Sequence, residues 1–387
     1  MKRIKDTWKD VIDIDNGIFA IIEGTRYKRG NDETKRLLAD GTHEIDREKA
    51  KAYAEDIIAE LKSNTWQHEK PRYRRQFCRN KTRRKGKWRD LYIPSLKDHT
   101  VAHMVMQANM AAFTRGMHPH SCGSVPGRGT KHIVRTVSRW CQKDKECRYF
   151  VKLDIRKFFD NIDKDILMGK LRGKIKDKDS LRVFEQIIDS APVACPVGYY
   201  TSPWLANLYL EDLDWHIVQK LFKERRGKRI NYVRHYIRYM DDMLLIGTSK
   251  SDLRKAIHAI KDLLAEIHLE LKPAWEIKSI GKMTDNGRLK AGTFWIDIGG
   301  YKFCKDCTIL RDGIFLSTRR LAHKMAHGYV IHEARSMMSR VGWAKHCNSR
   351  NFLENEIKPY VNLKELRMVI SNVDKKRKQR PCKAAGV

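Results

Sequence analysis

Two carboxylates side by side, Asp241 and Asp242, sit in Arg238-Tyr239-Met240-Asp241-Asp242-Met243-Leu244-Leu245-Ile246. Apolar residues on both sides suit two short buried strands, which leaves the Asp pair at the tip of a hairpin. Ionised carboxylates so close repel, and they need a cation to coexist. Hard divalent ions with oxygen ligands meet that need. Asp is also an ordinary turn residue, so this hairpin alone does not decide the chemistry. A second segment does: Arg148-Tyr149-Phe150-Val151-Lys152-Leu153-Asp154-Ile155-Arg156-Lys157-Phe158-Phe159. Tyr149 to Leu153 reads as a buried strand that Asp154 ends, with two aromatics within the next five residues. A strand-terminal Asp and an Asp-Asp hairpin together can hold two metal ions about 4 Å apart, the arrangement for in-line phosphoryl transfer.

The rest of the chain must position these groups. Residues 1–68 read as a helical extension, with Ala52, Ile57, Ile58 and Leu61 on one face of a helix from Lys49 to Leu61. From Lys70 to Asp90 there are eleven Lys/Arg and one Asp, interleaved with Tyr73, Phe77 and Trp88. Basic side chains neutralise phosphates and aromatics stack on unpaired bases. Helices are expected from Asp98 to Ala112, Leu181 to Ile188 and Ser202 to Leu221, then a basic link from Lys223 to Arg229 and a strand from Tyr232 to Tyr239. Ser317 to Val387 carries sixteen Lys/Arg against five Asp/Glu, and Lys375 to Lys383 reads as a disordered basic tail.

Composition points the same way. Lys and Arg total 79 against 47 Asp and Glu, a net charge of +32, which asks for a polyanionic partner. No apolar run reaches the ~18 residues of a membrane span and no signal peptide is visible, so a cytoplasmic protein without membrane attachment is expected. The nine cysteines lack a framework spacing, which suits reduced thiols. Cys304-Lys305-Asp306-Cys307 has half of a zinc-site spacing, with Cys347 beside His346 as its only evident complement; two thiols on a hairpin are the simpler reading.

Tyr239-Met240-Asp241-Asp242 with the upstream Lys152-Leu153-Asp154-Ile155 and Phe158-Phe159 resembles the catalytic core of bacterial reverse transcriptases. Arg89 to Pro94 is similar to that family's fingers motif over the incoming nucleotide, and Ser121 to Thr130 to its next block, with Ser124 and Pro126 departing from it. Val197 to Asn207 is similar to the motif under template-primer and nucleotide, Leu269 to Pro273 to the following palm motif, and Ile298 to Phe303 to the primer grip. The motifs fall in order over roughly residues 70–350.

The resemblance implies an α+β right-hand polymerase fold. Its parts would be an N-terminal extension (1–68), fingers (69–147), palm (148–303) and helical thumb with a basic tail (304–387). It implies an RNA-directed DNA polymerase whose Asp154, Asp241 and Asp242 are catalytic and hold two Mg²⁺, with Mn²⁺ as a substitute and the Ile155 carbonyl as a further ligand. Lys87, Arg89, Ser202, Pro203 and Lys272 are then candidates for the nucleotide. Phe158 is the first choice for the ring that excludes a 2′-hydroxyl, and Phe159 for core packing. Gly299, Gly300 and Tyr301 match the primer grip, and Arg83, Arg84, Lys85, Arg128 and Lys345 are candidates for nucleic-acid contact. Expected partners are a structured noncoding RNA template, the cDNA product, dNTPs, and an accessory protein or further copies of the chain. Ser202-Pro203 is closer to retron and abortive-infection types, which favours antiphage defence, whereas Val341 to Ser349 resembles a thumb motif of diversity-generating retroelements. A non-catalytic RNA-binding scaffold is the competing class; an RNA-making polymerase is disfavoured by the two aromatics after Asp154.

Overall fold

A computed structural model gives the protein's structure and describes residues 3–28, 30–40, 44–79 and 86–379. β1 (Arg72–Arg79) and β2 (Gly86–Ile93) form an antiparallel hairpin. Strand alternation sorts its faces. Tyr73, Arg75 and Phe77 face the same side as their partners Tyr92, Asp90 and Trp88, while Arg74, Gln76 and Cys78 share the other with Leu91, Arg89 and Lys87. Arg83, Arg84 and Lys85 lie outside the described residues.

The strands β3 (Ser121–Cys122), β4 (Tyr149–Asp154), β5 (Phe222–Arg225), β6 (Lys228–Asn231), β7 (His235–Tyr239), β8 (Asp242–Gly247) and β9 (Lys278–Ser279) follow. Five of them make the central sheet in the order β3-β7-β8-β4-β9. β8 runs antiparallel to both β7 and β4, and β3 lies parallel to β7. β10 (Ile296–Ile298), β11 (Tyr301–Phe303) and β12 (Thr308–Leu310) build a second, three-stranded sheet.

The central sheet is buried on both sides. Val151, Leu153, Met243 and Leu245 face a core shared with the helices Leu96–Ala108, Lys178–Asp189 and Lys250–Glu266. Ala20, Ile57, Ile58 and Leu61 of the N-terminal helices Ile14–Thr25 and Arg47–Lys62 belong to that same core, so the extension is packed into the molecule. Phe150, Ile237, Leu244 and Ile246 face the opposite core, filled by Ile133, Val134 and Val137 of the helix Thr130–Lys143, by the second sheet, and by Ala334, Met337 and Val341 from the C-terminal helices. Asp13, Asp46, Ser95, Asp163, Asp177 and Ser249 cap their helices by accepting backbone N–H bonds.

Four expectations change. The helix expected from Asp98 to Ala112 is two, Leu96–Ala108 and Met110–Thr114, broken at Asn109. The segment Ser202 to Leu221 is two helices, Ser202–Tyr209 and Glu211–Gln219, broken at Leu210. The expected basic link is the hairpin β5–β6, whose turn residues Arg226 and Gly227 both have positive φ, the twist a two-residue hairpin turn requires. The expected disordered tail begins as helix, since Leu363–Gln379 runs through Lys375. Among the described residues no helix is long and apolar enough to cross a membrane.

Candidate active site

Asp154 is the last residue of β4 and pairs directly with Asp242, the first residue of β8. Side chains of such a pair stand about 4.5–5.5 Å apart at Cβ. Alternation puts Asp154 on the same face as Lys152 and Phe150, and Asp242 on the same face as Leu244 and Ile246. Both carboxylates therefore stand at the open edge of the second core, where the apolar filling stops. Asp241 sits beside them in the two-residue turn between Tyr239 and Asp242.

The electrostatics are those of crowded carboxylates. Burial pushes the Asp241 carboxyl above the usual range and Asp154 adds to this, while Lys272 and Lys87 pull the other way. Asp242 is raised by burial and by both other carboxylates, against the pull of Lys152. Two lysines neutralise the cluster in part: Lys152 Nζ is 3.2 Å from Asp242 Oδ2 and Lys272 Nζ is 2.6 Å from Asp154 Oδ1. The second approach lacks hydrogen-bond geometry, and Asp154 Oδ1 is left without a hydrogen-bond partner. Three carboxylates, two of them held partly against their charge and the third paired only with a lysine ammonium, fit a site for hard divalent cations.

Another donor group is not of this kind. Asp144, Cys147 and His235 bring ligand atoms within 4.8 Å of one another. Asp144 Oδ2, however, accepts from Arg234 Nε at 2.9 Å and lies 2.8 Å from His235 Nε2. With an arginine in its shell, this is an ion-pair network tying the end of the helix Thr130–Lys143 to β7. Cys304 and Cys307 place their sulfurs 3.5 Å apart between β11 and β12, and among the described residues no third donor joins them.

Around the carboxylates the other candidates divide. Lys87, on the basic face of the β1–β2 hairpin, acts electrostatically on Asp241. Arg89 lies on that face. Lys272 is tied to Asp154 twice, by its ammonium and by its backbone N–H to the Asp154 carbonyl at 2.8 Å. Ile155 bridges to Leu271, and its own N–H donates to the Asp241 carbonyl at 3.4 Å. Ser202 is buried, its hydroxyl donating to the Pro196 carbonyl at 2.7 Å, with Pro203 in the first turn of the helix it opens. Arg128 donates to the His118 carbonyl at 2.9 Å, so its guanidinium braces its own loop. Gly299 and Gly300, both at positive φ, form the turn between β10 and β11. A Cβ on Gly300 would come 2.3 Å from the ring of Trp343, which stacks on the buried Tyr301. Lys345 is exposed at the end of the helix Ile331–Ala344.

The burial of the two phenylalanines differs from the expected core packing of Phe159. Phe158 is 2 % exposed and belongs to the main core, whereas Phe159 is only partly buried against it. Lys157, at φ +44, turns the chain into the short 3₁₀ segment Phe158–Asp160, so the first ring goes inward and the second stays toward the surface. Two elements escaped the sequence reading. Lys152 could have been found, since strand alternation puts it on the face of Asp154. The buried Arg238, whose partner is Asp214, had as its only signal a charge inside an apolar strand.

Residues 78–274 match the reverse transcriptase (RNA-dependent DNA polymerase) family. The chain is similar to the retron Ec73 reverse transcriptase of Escherichia coli, at 26% identity over 198 residues, 49% of this chain and 59% of that protein. It is also similar to the group II intron-encoded protein LtrA of Lactococcus lactis subsp. cremoris, at 28% over 216 residues, 53% of this chain and 34% of LtrA. Protein YkfC of Escherichia coli K12 is 25% identical over 194 residues, 42% of this chain and 51% of YkfC. The aligned region thus spans less than two thirds of each relative's own length. With a matched segment that includes β4, the Asp241-Asp242 hairpin and Lys272, the chain belongs to the reverse transcriptase family.

Proposed function

We propose that the protein is an RNA-directed DNA polymerase that copies a structured noncoding RNA into cDNA. The observation that carries this reading is the meeting of Asp154, Asp241 and Asp242 at one sheet edge, where Lys152, Lys272 and Lys87 act on them electrostatically. The three carboxylates, with the Ile155 carbonyl, would hold two Mg²⁺, which when bound activate a primer 3′-hydroxyl and neutralise the leaving pyrophosphate. Lys87 and Arg89 bind the triphosphate. Lys272, held beside Asp154, carries a proton at Nζ toward the pyrophosphate. Phe159 lies beneath the sugar. The Gly299-Gly300 turn seats the primer, with the buried Tyr301 supporting that turn from the core, and the division into fingers (69–147), palm (148–303) and thumb (304–387) follows from these roles. The retron relative and Ser202-Pro203 support a retroelement enzyme in antiphage defence. A diversity-generating role is the second reading, favoured by Val341 to Ser349, whose Trp343 packs on the primer-grip Tyr301.

Primer extension on an RNA template with Mg²⁺ and dNTPs tests the reading. The wild-type chain extends the primer. Asp241→Asn extends about 10³-fold more slowly, as losing ~4 kcal/mol of transition-state stabilisation requires, with RNA affinity within twofold. Extension by Asp241→Asn at the wild-type rate would sink the catalytic assignment. A wild-type chain that binds RNA and extends nothing would instead be a scaffold.

A further inference from the structure

We infer that Arg238, from inside the protein, positions the Asp241-Asp242 turn by gripping the carbonyl of Met240, with Asp214 and Asn207 fixing its guanidinium. Met240 is the first residue of the two-residue turn and has φ +56, a conformation that side chains other than glycine rarely adopt. Two hydrogen bonds hold it there. Its N–H donates to the Cys122 carbonyl at 3.1 Å, and its carbonyl accepts from Arg238 Nη1 at 2.9 Å. The peptide so gripped is the one that joins Met240 to Asp241.

Everything about Arg238 is directional. Nε donates to Asp214 Oδ1 at 2.7 Å and Nη2 to Asp214 Oδ2 at 2.6 Å, a bidentate fork. Nη1 is shared between the Met240 carbonyl and Asn207 Oδ1, the latter at 3.0 Å. Asp214 also accepts from the Tyr236 hydroxyl at 2.6 Å and from the Ser121 hydroxyl at 2.5 Å. Asn207 Nδ2 donates to the Gly123 carbonyl at 3.0 Å, which adds the loop after β3 to the assembly. The helices Ser202–Tyr209 and Glu211–Gln219, β3 and β7 thus converge on one peptide of the catalytic turn.

Arg238 and Asp214 are both 0 % exposed, so neither can touch nucleotide, metal or primer. Arg238 is a positioning residue. A buried ion pair is a poor source of stability, since apolar side chains of similar volume commonly do as well. What apolar groups cannot supply is an oriented donor for a carbonyl beside two catalytic carboxylates. Reaction rates fall steeply when catalytic groups shift by ~1 Å.

The assignment rests on the polymerase reading, and the test separates the two. Arg238→Lys keeps the buried charge for Asp214 but lacks the fork that reaches Asp214, Asn207 and Met240 together. Primer extension, dNTP KM, template-primer Kd, melting temperature and the Mg²⁺ concentration for half-maximal rate are measured for it and for Arg238→Met/Asp214→Leu/Tyr236→Phe, which replaces the network by apolar groups. The expected result is a folded variant with KM and Kd within about twofold of wild type, kcat lower by tenfold or more, and a Mg²⁺ midpoint raised several-fold. Wild-type kcat and Mg²⁺ midpoint in either folded variant would overturn the assignment. So would a loss confined to KM or Kd, or failure of both variants to fold, which would make the network core support alone. A wild-type chain without extension refutes the polymerase reading instead.

Discussion

Phe158 and Phe159 are adjacent and chemically identical, and their different burial predicts opposite outcomes for one substitution. Phe158→Ala empties part of the core and is expected to cost about 3–5 kcal/mol, read as an early melt with sugar choice unchanged. Phe159→Ala is expected to melt near wild type and, on the proposed reading in which the ring lies beneath the sugar, to raise ribonucleotide incorporation tenfold or more. Competition between dNTP and rNTP with a melting curve for each variant decides; relaxed sugar choice in Phe158→Ala alone would restore the sequence-based order. Asp241 offers a second test at this scale. Its carboxyl is raised above the ordinary range, first by burial and then by Asp154. Folding therefore favours the protonated form. The destabilisation is absent below the unfolded-state pKa and grows as pH rises toward the folded value. In metal-free buffer at pH 7, Asp241→Asn is expected to melt higher than wild type, with the gap closing as pH falls to the ordinary carboxylate range. Mg²⁺ should raise the wild-type midpoint more than the variant's. A variant that melts lower than wild type at pH 7 and keeps the full Mg²⁺ response contradicts both parts.

The elements differ in how plainly the sequence announced them. The strand β4 was legible because an apolar run ending in Lys152-Leu153-Asp154 has one arrangement on a two-sided sheet, with Lys152 and Asp154 on the same face. The order of the phenylalanines was not, because Lys157 at φ +44 breaks every regular count between Asp154 and the rings. The break at Leu210 has no Gly or Pro to mark it, and β5–β6 hid in a run of charges whose turn, Arg226-Gly227, was the one clue. Burial of Arg238 depends on Asp214, 24 residues earlier and on another element, which no local pattern records. The β1–β2 hairpin reads better in structure than in sequence. Tyr73 and Trp88 are more than half exposed on one face, and Lys87 with Arg89 lies on the other. Arg72 and Arg74 are exposed on the strand that carries most of the basic charge. RNA affinity should fall with salt by several units of log K per log unit. Arg72→Ala/Arg74→Ala should flatten that slope by about one unit for each phosphate left unneutralised. An unchanged slope in the double variant removes these arginines from the interface.

Across the whole molecule, the central sheet's second core extends without interruption from the helix Thr130–Lys143 through the three-stranded sheet into the C-terminal helices. One joint in that continuity is the turn Gly299-Gly300. Trp343 occupies the space where a side chain on Gly300 would stand, its ring stacks on Tyr301, and the Tyr301 hydroxyl donates to the Trp343 carbonyl at 2.9 Å. A copying enzyme must release and regrip its product at every added nucleotide. On the proposed reading, in which the Gly299-Gly300 turn seats the primer, its packing against the helix Ile331–Ala344 would make the turn and the C-terminal helices shift as one piece during translocation, and the number of nucleotides added before release would be set at this joint. Trp343→Ala is expected to leave single-nucleotide addition near wild type while shortening products severalfold in the presence of a trap that captures released enzyme. Products of unchanged length would mean that the turn and the helices move independently.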